Sequence, residues 1–396
     1  MTTAVTQRSG KAAPAPREDE ARPLASVVIP CLNEAENIVQ CVTSARRVLD
    51  EHGIHGEVIV ADNGSDDGSP VLAASAGATV VHEARRGYGR AYLAGFEAAR
   101  GDYIVMIDAD LTYDFEEIPR FLAELVKGAD LVMGNRMDNI QPGAMPWMNR
   151  YVGNPMLSGL LKMMYRTPVR DAHCGMRALR RDALDRLDLR TNGMEFASEM
   201  VIRASKANLN VSEFPIALHQ RGGVSKLNPF SDGWRHLRLM LLYNPNFLFL
   251  LPGLFMVIAG AAINAASFAR VSLFRHSLEL HAFIGGSLLL AVGTQLIGFG
   301  LCGRVYAVNH LGDTDPWLER QVARFRLEYG LLLGSFVALA GVVLGGVVVV
   351  EWLASGLGRL AQERATILAA TLVTVGAQIF FTSFLLSLLS LRRPGL

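Results

Sequence analysis

The sequence predicts an α/β domain with a mostly parallel sheet, followed by an all-α transmembrane domain of four helices. Strand patterns alternate with helix patterns up to about residue 246, and two of the strands end in aspartate. Long apolar runs begin after that point. The charges divide in the same way: residues 1–246 carry 28 Lys+Arg and 30 Asp+Glu, whereas residues 247–396 carry 10 Arg, no Lys and 7 acids. The net charge of +1 says nothing about nucleic acid, but the sequence has no basic stripe with interleaved aromatics, so no nucleic-acid partner is expected.

The α/β domain is predicted over residues 23–229, after a disordered tail at 1–22 that is rich in Ala, Pro and charge. Its apolar strand patterns lie at 26–30, 57–62, 78–82, 103–108 and 130–134. One helix face between the first two strands is marked by Ile38, Val42, Ala45 and Leu49. The strands lack polar alternation, so both faces of the sheet should be covered. Ligands of such sheets bind at the carboxyl ends of the strands.

The transmembrane domain is predicted over residues 247–396, with spans at about 247–268, 282–303, 330–353 and 366–390. The connector 304–329 and the C-terminus carry more Arg than the opposite connectors, which predicts that the α/β domain is cytosolic. Residues 230–246 place Trp234 and several basic side chains among Leu and Met. They are predicted to form an interfacial amphipathic helix, with a plain surface helix as the alternative. The protein would then be a multi-pass membrane protein, in the plasma membrane if it is bacterial.

Asp108-Ala109-Asp110 follows the fourth predicted strand and is the sharpest chemical signal. Two carboxylates one residue apart at the end of an apolar strand are costly unless positive charge meets them. A divalent cation that bridges to a diphosphate would supply that charge and stabilise the departing diphosphate. The same tripeptide also occurs by chance in exposed loops. The prediction of a metal site therefore depends on its position directly after a strand.

Two glycine-containing segments stand at other predicted strand ends. In the first, 62–69, Asp62 could accept hydrogen bonds from a nucleobase or ribose, although a simple chain reversal is the alternative. The second, 85–90, is basic and opens a helix, which suits phosphate binding. It matches neither a P-loop nor a dinucleotide-binding fingerprint. The four cysteines lack metal-ligand spacing and are predicted to be reduced thiols in a cytosolic compartment.

The blocks VVIPCLNE (27–34), DNGSDDG (62–68), GYGRA (87–91) and DAD (108–110) resemble, in order and spacing, the family 2 glycosyltransferases of GT-A fold. A second set of blocks is similar to polyprenyl (dolichyl) phosphate mannose and glucose synthases; it lies at 134–136, 170–177, 193–199 and 221–226. The resemblance covers residues 25 to about 240.

The resemblance implies a nucleotide-sugar donor, a polyprenyl phosphate acceptor, a membrane location, and Mg²⁺ or Mn²⁺ as cofactor. The donor would be bound by Pro30, Asn33, Glu34, Asp62, Arg86, Arg90, Asp108, Ala109 and Asp110. The metal would be held by Asp108 and Asp110. The acceptor phosphate would be bound by Arg136, Arg170, Cys174, Arg221 and Lys226. The catalytic residues would be Asp110, Arg136, Arg221 and Glu199.

Several positions depart from the pattern or allow two interpretations. Thr112 stands where many mannose synthases have Gln, and Cys174 stands where Ser is common. Glu195 could contact the donor sugar or act as a base, or it could cap a helix. His219 could be a third metal ligand or cap a strand. Residues 321–325 resemble the Q-x-x-R-W box of processive synthases but lack Trp, and they are interpreted as a cytosolic interfacial helix.

The predicted reaction moves a hexose to a lipid phosphate with inversion, and the 193–196 block favours UDP-glucose over GDP-mannose. A phosphate monoester is largely ionised at neutral pH, so it needs no strong general base. One alternative is transfer to a sugar hydroxyl of a lipid-linked or polymeric glycan, with Glu195 or Glu199 as the base. Another is a non-catalytic membrane scaffold with a transferase fold. The sequence is also compatible with a homo-oligomer.

Overall fold

The computed structural model describes residues 22–222, 229–269, 272–273, 276–277, 279–310, 327–357 and 362–391. The predictions for the tail before residue 22, for Lys226 and for the 321–325 box lie outside the described residues. By internal packing the chain divides into two units. The first comprises residues 1–146, 174–193 and 210–225, and the second comprises 147–173, 194–209 and 226–396. The two units interleave along the chain, whereas the prediction placed the α/β domain at 23–229, the interfacial helix at 230–246 and the transmembrane domain at 247–396 as consecutive segments.

The first unit contains a seven-stranded sheet in the order β3-β2-β1-β4-β6-β5-β7. The strands are β1 (Ala25–Cys31), β2 (Gly56–Asp62), β3 (Thr79–His82), β4 (Tyr103–Met106), β5 (Leu131–Asn135), β6 (Arg177–Arg180) and β7 (Val211–Pro215). Only β6 is antiparallel, because it pairs in that sense with both β4 and β5. The mostly parallel α/β sheet is confirmed. The sequence patterns did not predict β6 and β7.

Helices cover the sheet of the first unit. They are α1 (Ile38–Glu51), α2 (Ser69–Ser75), α3 (Tyr88–Ala98) and α4 (Ile118–Val126), together with α6 (Arg181–Leu187). The predicted apolar face of α1 is buried, and it packs with β1 and β2 residues in one core. Because β1 pairs in parallel with both β2 and β4, the segments that follow these three strands meet at one edge of the sheet.

The second unit begins with three helices that pack against one another: α5 (Asn154–Tyr165), α7 (Phe196–Lys206) and α8 (Pro229–Leu242). Among the described residues, four helices then follow that are long and apolar enough to cross a membrane. They are α9 (Leu251–Phe268), α10 (Leu280–His310), α11 (Leu327–Ala354) and α12 (Glu363–Ser390). The predicted all-α region of four apolar helices is confirmed. A two-stranded hairpin, β8 (Ser272–Leu273) with β9 (His276–Ser277), lies between α9 and α10 in the sequence.

Glycines allow these apolar helices to pack backbone to backbone. A Cβ added to Gly260 of α9 would lie 2.5 Å from the carbonyl oxygen of Gly286 in α10. The pair α11 and α12 repeats the arrangement, since a Cβ on Gly334 would lie 2.8 Å from the carbonyl oxygen of Gly376. Small residues at such crossings allow the close van der Waals packing that drives helix association in lipid.

Candidate active site

Asp108 lies just beyond the carboxyl end of β4, and its carboxylate is held by two tyrosines of α3. Its Oδ1 accepts hydrogen bonds from the hydroxyls of Tyr88, at 2.9 Å, and Tyr92, at 3.2 Å. Burial and the nearby charge of Asp110 raise the pKa of Asp108 to about 6, against the opposing effects of the tyrosines and Arg136. Two neighbouring carboxylates in such a place need a positive partner, and a divalent cation fits them.

Asp110 is contacted from two sides. Thr112 donates to its Oδ1 through the side-chain hydroxyl, at 2.6 Å, and through the backbone N–H, at 3.2 Å. Arg221 places Nη1 3.4 Å from Asp110 Oδ2 and Nη2 3.6 Å from Glu34 Oε1. The backbone N–H of Gly222 donates to the carbonyl of Asp110 at 3.0 Å. Arg221, which is predicted to bind the acceptor phosphate, therefore contacts both Glu34 and Asp110. Glu34 is predicted to bind the donor, and Asp110 is predicted to bind the metal.

The protein itself offers few ligands to a metal. Within the described residues, no group of three or more His, Cys, Asp or Glu side chains is arranged to hold a metal ion. His219 donates its backbone N–H to the carbonyl of Thr112 at 2.9 Å but is not part of such a group. A cation at Asp108 and Asp110 would therefore complete its coordination with water, and with diphosphate oxygens once a donor is bound.

Asp62 stands at the end of β2 and organises the turn that follows. Its carboxylate accepts backbone N–H groups of Gly64, at 3.3 Å, and Ser65, at 3.1 Å, and His82 Nδ1 lies 3.1 Å from its Oδ2. Burial acts to raise the pKa of Asp62, but these hydrogen bonds outweigh it and hold the pKa below its usual value. The carboxylate is therefore ionised at neutral pH and can accept a hydrogen bond from a further donor.

Asn33 and Arg86 approach the same turn from other segments. Asn33 has a positive φ of 52°, and its Oδ1 accepts the backbone N–H of Asp66 at 2.9 Å. Arg86 Nη2 donates to the carbonyl of Gly64 at 3.1 Å. Pro30 is the penultimate residue of β1, at the same edge of the sheet. The predicted nucleoside-binding residues of this edge are thus brought together, and their contact with a nucleotide stays a prediction.

The N-terminus of α3 is fixed by Asn63. The Oδ1 of Asn63 accepts the N–H of Gly87 at 2.6 Å, and its Nδ2 donates to the carbonyls of Glu83 and Arg85. Gly87 has a φ of 148°, and a Cβ there would lie 2.2 Å from the carbonyl oxygen of Asn192. Only glycine fits this position. The first turn of α3, with Tyr88, is therefore held in one place.

Arg90 lies on α3 and lines a cleft of about 390 Å³, together with Arg85, Arg190, Glu83 and Glu97 among others. Its Nε is buried and has no hydrogen-bond partner among the described residues. The opposing acids make this cleft mixed in charge, unlike a simple phosphate site. Donor binding by Arg90 stays a prediction.

Arg136 and Cys174 come close to the aspartate pair through Tyr113. The Tyr113 hydroxyl accepts the N–H of Gly175 at 2.7 Å and Nη1 of Arg136 at 3.5 Å. Cys174 is fully buried, and its thiol donates to the carbonyl of Met176 at 3.6 Å. The guanidinium of Arg136 is thus near the acidic pair. The Cys174 thiol points toward a backbone acceptor, so its contact with an acceptor phosphate stays a prediction.

Arg170 and Glu195 belong to the second unit. Arg170 is exposed. Glu195 immediately precedes α7 but makes no side-chain capping hydrogen bond. Its Oε2 is buried and has no hydrogen-bond partner among the described residues. A buried carboxylate oxygen of this kind calls for a donor from a ligand or from water.

Glu199, predicted to be catalytic, is fully buried within the second unit. The Tyr243 hydroxyl donates to its Oε1 at 3.1 Å, and Arg203 Nε lies 3.9 Å from the same oxygen. Arg203 also donates to the Tyr243 hydroxyl at 3.3 Å. This network joins α7 to the segment before α9. A catalytic role for Glu199 stays a prediction.

Comparisons with known proteins show the family of the chain. Residues 26–188 match glycosyl transferase family 2, and residues 301–390 match the family 2 C-terminal transmembrane region. The low-salt glycan biosynthesis hexosyltransferase Agl6 of Haloferax volcanii is 42% identical over 371 residues, which cover 93% of this chain and 90% of that protein. The chain belongs to glycosyltransferase family 2.

One further relative and one solved structure are less similar to this family 2 transferase. A dolichyl-phosphate hexose transferase of Haloferax volcanii is 35% identical over 210 residues, 52% of this chain and 88% of that protein. Glucosyl-3-phosphoglycerate synthase of Mycobacterium tuberculosis, solved with Mn²⁺, UDP-glucose and phosphoglyceric acid, is 22% identical with a TM-score of 0.47, over 55% of this chain and 79% of that chain. The predicted family, its enzymatic nature and its membrane helices are confirmed.

Sequence reasoning missed several residues of the transferase that the fold brings to the aspartates. Tyr88 lies in the GYGRA block but was given no role there, and Tyr92 follows that block directly. Their spacing of four on one helix places them on one face. Arg177 is 1% exposed and donates from Nε to the carbonyl of Cys174 at 2.8 Å. Burial lowers the pKa of Arg177 and raises the pKa of both tyrosines well above the usual range, so the phenols remain protonated donors.

Gly175→Ala is expected to weaken metal binding and transfer together. A Cβ at this position would lie 2.2 Å from Asp108 Oδ2 and 3.1 Å from the Tyr113 hydroxyl, so the carboxylate must move. We expect affinity for Mn²⁺ to fall about tenfold, the usual loss when the support of a metal ligand is disturbed. Manganese titration of the purified protein measures this. Gly159→Ala, where the added Cβ meets nothing within 4 Å, should leave the affinity unchanged.

Glu199→Ala is expected to destabilise the transferase by about 3–5 kcal/mol, because it removes the carboxylate from a buried ion pair with Arg203. Thermal unfolding in detergent measures this loss. Glu199→Gln keeps an acceptor for the Tyr243 hydroxyl and should retain turnover. If Glu199→Gln instead abolished turnover while unfolding stayed normal, Glu199 would be the catalytic base after all.

Proposed function

We propose that this transferase moves a hexose from a nucleotide-sugar to a polyprenyl or dolichyl phosphate at the cytosolic membrane face, with inversion at the anomeric carbon. The observation that carries the proposal is the approach of two arginines to one acidic pair. Arg221 contacts Asp110, and Arg136 reaches the neighbourhood of Asp108 through Tyr113. Cationic side chains at this place suit an anionic acceptor that must come close to an anionic donor.

Asp108 and Asp110 would hold Mg²⁺ or Mn²⁺ against the donor diphosphate. When bound, the cation would neutralise charge on the departing diphosphate. The chain's own part is to orient the two carboxylates, through Tyr88, Tyr92 and Thr112. Glu34, Asn33 and Asp62 at the adjacent strand ends would bind the nucleoside.

The acceptor phosphate would need no proton acceptor from the protein. A phosphate monoester has a second pKa of about 6, so its oxygen is a ready nucleophile at neutral pH. An oxygen of the lipid phosphate would form a bond to the anomeric carbon as the bond to the diphosphate breaks, which inverts the configuration. The burial of Glu199 in its network with Arg203 supports a reaction without a glutamate base.

Exposed side chains of the second unit support the proposal of a lipid acceptor. Large apolar and aromatic side chains are exposed on the segments around α5 and α8, among them Trp147, Tyr151, Phe230 and Trp234. Aromatic side chains of this kind favour the interface between lipid and water. The dolichyl-phosphate hexose transferase among the relatives supports the same class of acceptor. UDP-glucose is the donor we favour, from the 193–196 block of the sequence.

A second candidate is transfer to a sugar hydroxyl, which does require a base. Glu195 favours it, because its buried Oε2 has no hydrogen-bond partner among the described residues. Under this alternative, Glu195→Gln would lose turnover. Under the lipid-phosphate proposal, the same variant would raise KM for the donor at most.

The test is a donor and acceptor screen with the purified full chain in detergent. We expect a radiolabelled glycolipid from UDP-glucose or GDP-mannose, Mg²⁺ or Mn²⁺, and polyprenyl phosphate. Polyprenol without the phosphate is the matched control and should give no product. Product from a glycan acceptor alone, or no product with any nucleotide-sugar, would overturn the proposal.

A further inference from the structure

The Asp108 carboxylate is restrained by a pair of hydroxyls that come from one helix. Tyr88 and Tyr92 lie four residues apart on α3, and both donate to the same oxygen, Oδ1, at 2.9 and 3.2 Å. Their rings pack edge to face, with centroids 5.0 Å apart. Two donors on one oxygen fix the torsion angle of the carboxylate and leave Oδ2 outside this pair of hydrogen bonds.

The helix that carries the tyrosines is itself held rigidly. Gly87 accepts no side chain, because a Cβ there would lie 2.2 Å from the carbonyl oxygen of Asn192, and its N–H is bound by Asn63 at 2.6 Å. The N–H of Gly89 donates to the same Asn192 carbonyl at 2.9 Å. Tyr92, one turn further along, is fully buried. Contacts of Gly87 and Gly89, on either side of Tyr88, therefore hold the first turn of α3 in place.

We infer that Tyr88 and Tyr92 are positioning residues that orient Asp108 as a metal ligand, an inference that rests on the proposed metal-dependent function. Partners that hydrogen-bond a metal-ligating carboxylate restrict its orientation, and their loss typically lowers metal affinity about 10- to 100-fold. A merely structural role is the competing explanation, since a buried phenol needs an acceptor wherever it lies. The two explanations differ in what a Tyr→Phe change does to metal affinity.

The experiment titrates the purified full chain in detergent with Mn²⁺ and follows free Mn²⁺ by electron paramagnetic resonance, without any sugar donor. We expect Tyr88→Phe and Tyr92→Phe each to weaken Mn²⁺ binding about tenfold, and the double variant up to about a hundredfold. Tyr103→Phe, at the opposite end of β4, is the matched control and should bind as the wild type does. Thermal unfolding is measured in parallel for every variant.

Wild-type affinity in Tyr88→Phe and Tyr92→Phe would overturn the inference, whatever their unfolding temperature. If Tyr92→Phe does not fold, Tyr88→Phe decides the question, because Tyr88 is only partly buried. Asp110→Asn separates this outcome from failure of the proposed function. If the wild type binds no Mn²⁺, or binds it as well as Asp110→Asn does, the metal site itself is wrong. A wild type that binds Mn²⁺ but does not glycosylate polyprenyl phosphate would overturn only the proposed acceptor.

Discussion

Asp110→Asn is expected to lower turnover about a thousandfold. Stabilisation of the leaving diphosphate by a divalent cation contributes several kcal/mol, and each 1.4 kcal/mol corresponds to about tenfold in rate. The change is isosteric and keeps an oxygen for the Thr112 hydroxyl, so the loop should keep its shape. It removes the charge that faces both the cation and Arg221. Transfer from the donor identified in the screen, at saturating Mn²⁺, measures the loss.

Asp114→Asn is the matched control for that loss. Asp114 is four residues away and exposed, and its Oδ1 caps the short helical turn at Phe115–Glu117 by accepting the N–H of Glu116 at 2.9 Å. The same loss of one negative charge there should leave turnover almost unchanged. If Asp110→Asn kept full activity in cells, the non-catalytic scaffold would become the better hypothesis.

Arg136→Ala is expected to reduce kcat/KM for polyprenyl phosphate by about 10- to 100-fold. A hydrogen bond to a charged group contributes about 1.5–3 kcal/mol, and the guanidinium of Arg136 is the cation joined to the Tyr113 hydroxyl beside Asp108. Arg136→Lys keeps the charge but loses the planar fork, so an intermediate loss is expected. Initial rates at varied acceptor concentration separate this effect from one on the donor.

Arg47→Ala controls for the loss of a cation elsewhere on the first unit. Arg47 is exposed and pairs with Glu51 and Glu116 on the surface. It should leave kcat/KM unchanged. Normal kcat/KM in Arg136→Ala, together with loss of turnover in Glu195→Gln, would favour a sugar hydroxyl as the acceptor.

The predicted strands that were found share a simple pattern. Runs such as Val27–Ile29 and Ile104–Met106 are apolar throughout, because both faces of a parallel sheet are covered. The strand β6 escaped prediction because Arg177-Ala-Leu-Arg180 is short and has arginine at both ends. Arg177 is nevertheless buried, and its Nε donates to the carbonyl of Cys174. Residues 147–173 and 194–209 belong to the same unit as the membrane helices, and no local sequence pattern predicts that grouping either.

The sequence by itself determined the family, the α/β class, the aspartate pair and the four membrane helices. Each of these depends on a local pattern, either a run of hydropathy or a short block of fixed spacing. The tertiary structure alone decided which side chains meet. Glu199 contacts Tyr243, which lies 44 residues away in the sequence, and no local pattern predicts that pairing. Tyr88 and Tyr92 gained their place beside Asp108 because the packing of α3 against the sheet brings together residues that no local pattern connects.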